Sequence, residues 1–445
     1  MNIRKGLVLS LLVLFAGTGF LFASGGQEEQ AAPAAESLPY EGKVLHFAVM
    51  ADQYADYIKE ISSEFQAATG AEVKVDILGY VELSQKITQD YATGSADYDL
   101  ATVDIVWTGQ FEQEGYTKDL SAWIERDKEE IDYDDIVPVM WVMGGWNGKQ
   151  IAYPMSGYAN SLIYRKDLFE DVDEKAAFKA EYGYELSTPD TLDQLADIAA
   201  FFTRKDESMY GLVSNGARGS AVAQDWMEYM RAFGGQIIQD GEVTIDSAEC
   251  KAALELFVQI FDDWAPSGAI GYWWDDRETA YRTGQAMMQQ SWSIARSGYE
   301  NEEISLVAGK TGMAIPPTAP GVDVGYGVGG WGVGINADSS EENAEIAWEF
   351  IKFMTSKEVM KDWMMNDGAP IRYSTLKDPD LNAEMPWLSN ILNSFENGDG
   401  DYRPRIPEYN EIQDIVGLRV NQAITHELTV DEALAAAAED IKAIF

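Results

Sequence analysis

Beyond its first forty residues the chain alternates strand and helix, and that alternation constrains its fold more than any other feature. Lys43–Met50 alternates apolar and polar residues like a half-buried strand. From Asp52 to Thr69, residues Tyr54, Ile58, Ile61, Phe65 and Ala68 share one helical face, and Gly70 ends the helix. Glu72–Leu78 reads as strand, Val81–Ala92 as helix and Tyr98–Trp107 as a buried strand. This order predicts a parallel sheet with helices on both faces. Gly148–Pro154 and Ala159–Arg165 are again extended. Thr191 and Gln194 form a capping box for a helix to Phe202, and Trp226–Ala232 and Ala248–Phe261 are further helices. Ser339 and Glu342 form another capping box opening Glu342–Met354, and Thr429–Ile444 closes the chain.

The N-terminus has a different character. Arg4 and Lys5 precede the apolar run Gly6–Phe15, and Leu21-Phe22-Ala23 offers a cleavage site. Residues 1–23 are therefore expected to be a secretory signal peptide. Ser24 stands where lipid attachment would need cysteine. Residues 24–39, rich in Ala, Glu, Gln and Pro, read as a flexible linker. The folded part of about 400 residues exceeds what one core serves, so two lobes are expected. No later segment is apolar for long enough to cross a bilayer.

With 75 acidic and 32 basic side chains the formal charge is −43, which disfavours nucleic-acid and anionic-membrane binding. The acidity itself is read mainly as a solubility trait. Cys250 is the only cysteine, so neither an internal disulfide nor a cysteine-based metal site is possible.

Glycine crowds Gly321–Ile335, with Gly325, Gly327, Gly329, Gly330, Gly332 and Gly334 around a single large aromatic, Trp331. A strand so bare allows close approach by another surface or a ligand. Gly325, Gly327 and Gly330 satisfy GxGxxG, but strand continues to Ile335 where a dinucleotide site needs a helix. Asn397–Glu408, NGDGDYRPRIPE, spaces oxygens like a calcium loop, yet Tyr402 fills the glycine position and two prolines stiffen it. A solvated loop is expected there, and no metal or cofactor is assigned. His46 and His426 are the only histidines and no GxSxG elbow exists, so no catalytic residues are nominated.

Five stretches in order resemble the extracellular solute-binding proteins of carbohydrate ABC importers, the family that includes maltose-binding protein. They are VDIVWTGQFEQEGYTKDLSAWI, GKQIAYPMSGYANSLIYRKDLFED, TPDTLDQLADIAAFFT, YRTGQAMMQQSWS and GGWGVGINADSSEENAEIAWEFIKFMTS. Leu192 replaces a usual Trp and Ser291 a usual Gly. The resemblance implies a type II periplasmic-binding clamshell with the ligand cleft between two α/β lobes. Lobe one would be 40–156 and 312–367, and lobe two 157–311 and 368–445. The implied function is capture of a sugar, oligosaccharide or polyol by a periplasmic or secreted monomer, and delivery to a membrane permease. An amine or polyamine receptor and a secreted glycan-cleaving enzyme are the alternatives.

A sugar needs polar groups for its hydroxyl edges and aromatic rings for its C–H faces. Trp107, Thr108 and Gln110 follow a buried strand at the end where open α/β sheets bind ligands. By resemblance Tyr158 and Asn160 lie in the first lobe crossing and face the cleft, the alternative being that they only shape the hinge, and Trp226 is placed at the start of a helix. Trp273, Trp274 and Asp275 form an aromatic-acidic loop, while Trp292 and Trp331 match cleft positions by resemblance or by their bare surroundings. Arg372, at the third crossing, is either a hydroxyl grip or an interlobe ion pair. For Trp107 and Trp331 the alternative is a core tryptophan.

Overall fold

The structure is a computed structural model and describes residues 38–323 and 326–445. The signal peptide and nearly all of the 24–39 linker lie outside the described residues, as does Gly325. Among the described residues no helix is long and apolar enough to cross a membrane.

One eight-stranded sheet organises the chain. Its strands are β1 (Val44–Met50), β2 (Glu72–Leu78), β3 (Leu100–Asp104), β4 (Tyr153–Arg165), β5 (Tyr210–Val213), β6 (Ala286–Trp292), β7 (Thr311–Ala314) and β8 (Val328–Ile335). The helices that shape the site are α1 (Ala55–Thr69), α2 (Tyr80–Thr93), α3 (Thr108–Glu114), α4 (Pro138–Gly144), α5 (Ser220–Ala232), α6 (Trp274–Arg282), α7 (Glu341–Met354) and α8 (Tyr409–Ile424). Strand order is β2-β1-β3-β8-β4-β6-β5, with β7 also on β4. β1 pairs in parallel with β2 and β3, and β6 with β5, as the alternation predicts. β8 runs antiparallel to both β3 and β4, and β4 antiparallel to β6 and β7, so the sheet is mixed.

β4 is one continuous strand where the sequence indicates two extended pieces, and it changes partners halfway. Tyr153–Ala159 pair with β8, and Asn160–Arg165 pair with β6 and β7. The sheet therefore has two halves hung on a single strand. At the changeover β8 lies close: a Cβ on Gly330 would sit 2.1 Å from the Ser156 carbonyl oxygen, and Gly330 has φ of 153°. Only glycine fits both the distance and the backbone angle.

Several boundaries differ from the sequence reading. β3 stops at Asp104, whose carboxylate accepts from Val106 N (3.4 Å) and caps a 3-10 turn over Ile105–Trp107. α5 begins at Ser220, so Trp226 sits inside the helix and not at its start. Ser340 caps α7 by accepting from Asn343 N (3.1 Å), while Ser339 donates to Asp99 (2.7 Å). The Thr191 and Gln194 capping box is present. Cys250 is buried, which raises its thiol pKa.

Glu228 on α5 accepts from Gly327 N (2.9 Å) at the entry to β8. Burial pushes its carboxyl up from 4.5 to about 7. Between those values the folded chain holds a proton that the unfolded chain has lost, so stability falls as pH rises through this window. Glu228→Gln keeps an acceptor without the charge; it is expected to flatten that fall by about 3 kcal/mol, seen in denaturant titrations from pH 4.5 to 7. Gly330→Ala is expected to destabilise by about 2–4 kcal/mol in the same assay.

Candidate functional site

The carboxyl ends of β1 and β3 face the carboxyl end of β6 across a cavity of about 390 Å³. Ligands in open α/β sheets bind at such strand ends, and the volume lies in the range of small-molecule sites. β1 leads into Asp52 and Gln53, β3 ends in Asp104, and β8 contributes Gly329–Trp331. From the other half of the sheet come Ser291 and Trp292, from α6 and the residue before it come Trp273–Asp275, Arg277 and Glu278, and from the 397–408 stretch comes Arg403.

The aromatic lining is built in two groups. Tyr80, at the start of α2, packs on Trp107 (5.4 Å between centroids), Trp331 (6.0 Å) and Trp274 (6.0 Å). Trp273 meets Trp274 edge to face at 4.8 Å. Opposite, Trp292 lies between Tyr158 (6.3 Å) and Tyr402 (6.5 Å). Here the bare glycine strand matters: a Cβ on Gly329 would sit 2.9 Å from Trp292 Cη2 and 3.2 Å from Arg403 Nη2. The glycine lets the ring and the guanidinium reach the strand.

The polar lining is rich in carboxylates. Tyr158 Oη donates to Asp52, and Tyr80 Oη donates to Asp104 at 3.0 Å. Burial raises both aspartate pKa values; Tyr158 opposes the shift at Asp52 and Arg403 opposes it at Asp104. Arg277 is fully enclosed, with Nη1 2.9 Å from both Asp225 oxygens and Nη2 2.9 Å from Glu278 and 3.1 Å from Ser291 Oγ. Ser291 Oγ in turn donates to Glu278 (2.6 Å). The serine that departs from the usual glycine is therefore part of this network.

Six of the sequence-nominated residues meet at the cavity: Tyr158, Trp273, Trp274, Asp275, Trp292 and Trp331. The others lie elsewhere. Trp107 is buried behind Trp331 (5.5 Å) and Phe111, because the chain turns at Asp104 before reaching it. Thr108 is buried and donates to the Ile105 carbonyl (2.7 Å). Gln110 accepts from Asn410 (3.1 Å) and joins α3 to α8. Asn160 is buried in β4 opposite Trp292, and Trp226 is buried in α5. Arg372 is buried and donates to the carbonyls of Thr355 (2.7 Å) and Ile131 (2.9 Å), with Asp135 at 3.4 Å; it is an internal tie and not a cavity group.

Asp52, Tyr80, Asp104, Arg277, Glu278 and Arg403 line the cavity without having been nominated for it. The strand-end rule that singled out Trp107 applies equally to Asp52, two residues past Met50. Arg277 and Glu278 lie one helical turn beyond Trp273 and Trp274. Nothing in the local sequence marks Arg403. The Asn397–Glu408 oxygens are engaged by arginines: Asp399 by Arg231 (2.6 Å) and Asp401 by Arg405 (2.5 Å).

Comparison with known proteins agrees with this architecture. Residues 48–361 match the model of the bacterial extracellular solute-binding proteins. An ABC transporter solute-binding protein from Agrobacterium radiobacter, solved in complex with ribitol, is 40% identical; the match covers 92% of this chain and all of that one, with a TM-score of 0.85. A maltose-bound protein of T. maritima is 28% identical over 91% of this chain and all of its own, with a TM-score of 0.80. The mannitol-binding protein of Pseudomonas aeruginosa is 27% identical, covering 80% of this chain and 82% of that protein. The fold is thus the two-lobed α/β fold of periplasmic binding proteins. The chain belongs to the bacterial extracellular solute-binding protein family.

Proposed function

We propose that this protein captures a neutral sugar or sugar alcohol and hands it to the permease of an ABC importer, acting as a periplasmic or secreted monomer. The observation that carries this reading is the cavity, which combines aromatic faces with buried hydroxyl-binding carboxylates at strand ends from both halves of the sheet. Trp292, Trp331 and Trp274 offer faces and edges to C–H groups, and Asp52 and Asp104 accept from hydroxyls. The ribitol, maltose and mannitol relatives support the same ligand class.

The partner change within β4 supports a lobe division. Lobe one takes β1, β2, β3 and β8, and lobe two takes β5, β6 and β7, with the first crossing between Ala159 and Asn160. Because β7 pairs with the second half of β4, we set the second crossing after Ala314 rather than at Gly312. Ser297 donating to Gln53 and Trp274 against Tyr80 then join the lobes across the cleft. Contacts that a ligand makes only when both lobes touch it shift the population toward closure. Binding and delivery of this kind need no bond chemistry.

Titration calorimetry against ribitol, mannitol, maltose, glucose and spermidine tests the reading. We expect an alditol or sugar to bind with a dissociation constant of about 10 μM or tighter. Binding of spermidine with no response to any sugar or alditol would overturn it in favour of an amine receptor. Trp292→Ala is expected to weaken the bound sugar or alditol by about 2 kcal/mol, roughly thirtyfold. Because burial raises Asp52 and Asp104, affinity should begin to fall on acidification above the ordinary aspartate range. Asp52→Asn should remove part of that dependence in the same titrations.

A further inference from the structure

The Asn397–Glu408 stretch is not a free loop. Asp399 bonds to the strand entering β8, with Val328 N donating to its carbonyl (2.9 Å) and its own N donating to the Tyr326 carbonyl (3.1 Å). Its carboxylate holds Arg231 of α5 at 2.6 Å. Farther on, Arg405 donates to the carbonyls of Val142 (2.8 Å) and Gly145 (3.0 Å) at the end of α4. α3 presses against the same residue: a Cβ on Gly109 would sit 2.2 Å from the Arg405 carbonyl oxygen. The stretch is a strap fastened at both ends, and Arg403 lies between the fastenings.

Arg403 is 3% exposed and lines the cavity. Its guanidinium lies over the rings of Trp292 (5.6 Å) and Tyr402 (5.3 Å). The facing anion, Asp104, is 3.9 Å away, beyond hydrogen-bond distance, and Arg403 Nε is buried without a partner. A guanidinium is a rigid fork of donors suited to two adjacent oxygens, and burying its donors unmet is unfavourable. The cavity's other guanidinium, Arg277, also has an unpartnered Nε, but both of its terminal nitrogens are held, by Asp225, Glu278 and Ser291, whereas those of Arg403 make no hydrogen bond among the described residues.

We propose that Arg403 is the specificity-determining residue of this site, gripping two adjacent hydroxyls of a neutral polyol while Asp104 accepts from one of them. This rests on the sugar or alditol reading above. The pair discriminates by charge in both directions. An ammonium group entering the cavity meets the Arg403 cation, and a carboxylate meets Asp52, Asp104, Asp275 and Glu278. Arg405 touches no cavity atom and acts as a positioning residue, holding the strap that presents Arg403.

The test uses the full chain, with ribitol, its terminal amino analogue and ribonate as probes in titration calorimetry. Wild type is expected to prefer ribitol over both charged analogues by about 100-fold or more. Arg403→Gln is expected to lose about 100-fold in ribitol affinity and to narrow the preference over the amino analogue at least tenfold. Arg403→Lys keeps the buried charge but not the fork; it should fold if the glutamine variant does not, and should bind ribitol about tenfold or more weakly than wild type. Arg405→Gln should weaken ribitol without changing the preference between the analogues. Ribitol affinity within threefold of wild type in whichever Arg403 variant folds, or an unchanged preference over the amine in Arg403→Gln, would overturn the assignment while leaving the sugar or alditol reading intact. Absence of binding by wild type to any sugar or alditol overturns both.

Discussion

The pairing of β8 with β4 around Gly330 and Ser156 is the contact on which the site depends. β4 can serve both halves of the sheet only because β8 lies close enough to bond its first half. That closeness needs a residue without a side chain at Gly330. One residue earlier, Gly329 admits Trp292 and Arg403 to the same strand, so structure and recognition share one run of glycines. Trp331, the large side chain within that run, closes the cavity floor against Tyr80 and Trp107.

The cavity separates its charged groups by duty. The two terminal nitrogens of Arg277 are held by Asp225, Glu278 and Ser291, and Glu278 also accepts from Tyr299, so these residues form a stiff wall. Asp52 and Asp104 each accept from one tyrosine hydroxyl and have further lone pairs uncommitted. A rigid wall facing a few groups with spare bonding capacity is the arrangement that preorganised binding requires.

Much of the fold was legible because strands and helices carry different apolar periods, as α1 and β2 do. The antiparallel placement of β8 was not, since pairing direction depends on where the chain returns after some two hundred residues, and no local pattern records that. Six of the residues singled out by position or by resemblance line the cavity. Trp107 lies outside the cavity for a definite reason: it follows β3, as expected, but Asp104 caps a turn that sends it inward. Trp226 lies in the core and not at a helix start, because α5 begins at Ser220. Arg403 was invisible because its role comes from fastenings to α3, α4, α5 and β8, all remote in sequence.

The partner change within β4 also limits how this protein can vary. Consecutive residues of a strand point to opposite faces, so inserting one residue between Ala159 and Asn160 would invert every side chain of the second half relative to the first. Trp292, registered on Asn160, would then answer to the wrong face of the sheet. Length changes should therefore accumulate in the loops of either lobe and be excluded from this strand. Both halves of the sheet are held to one register along β4.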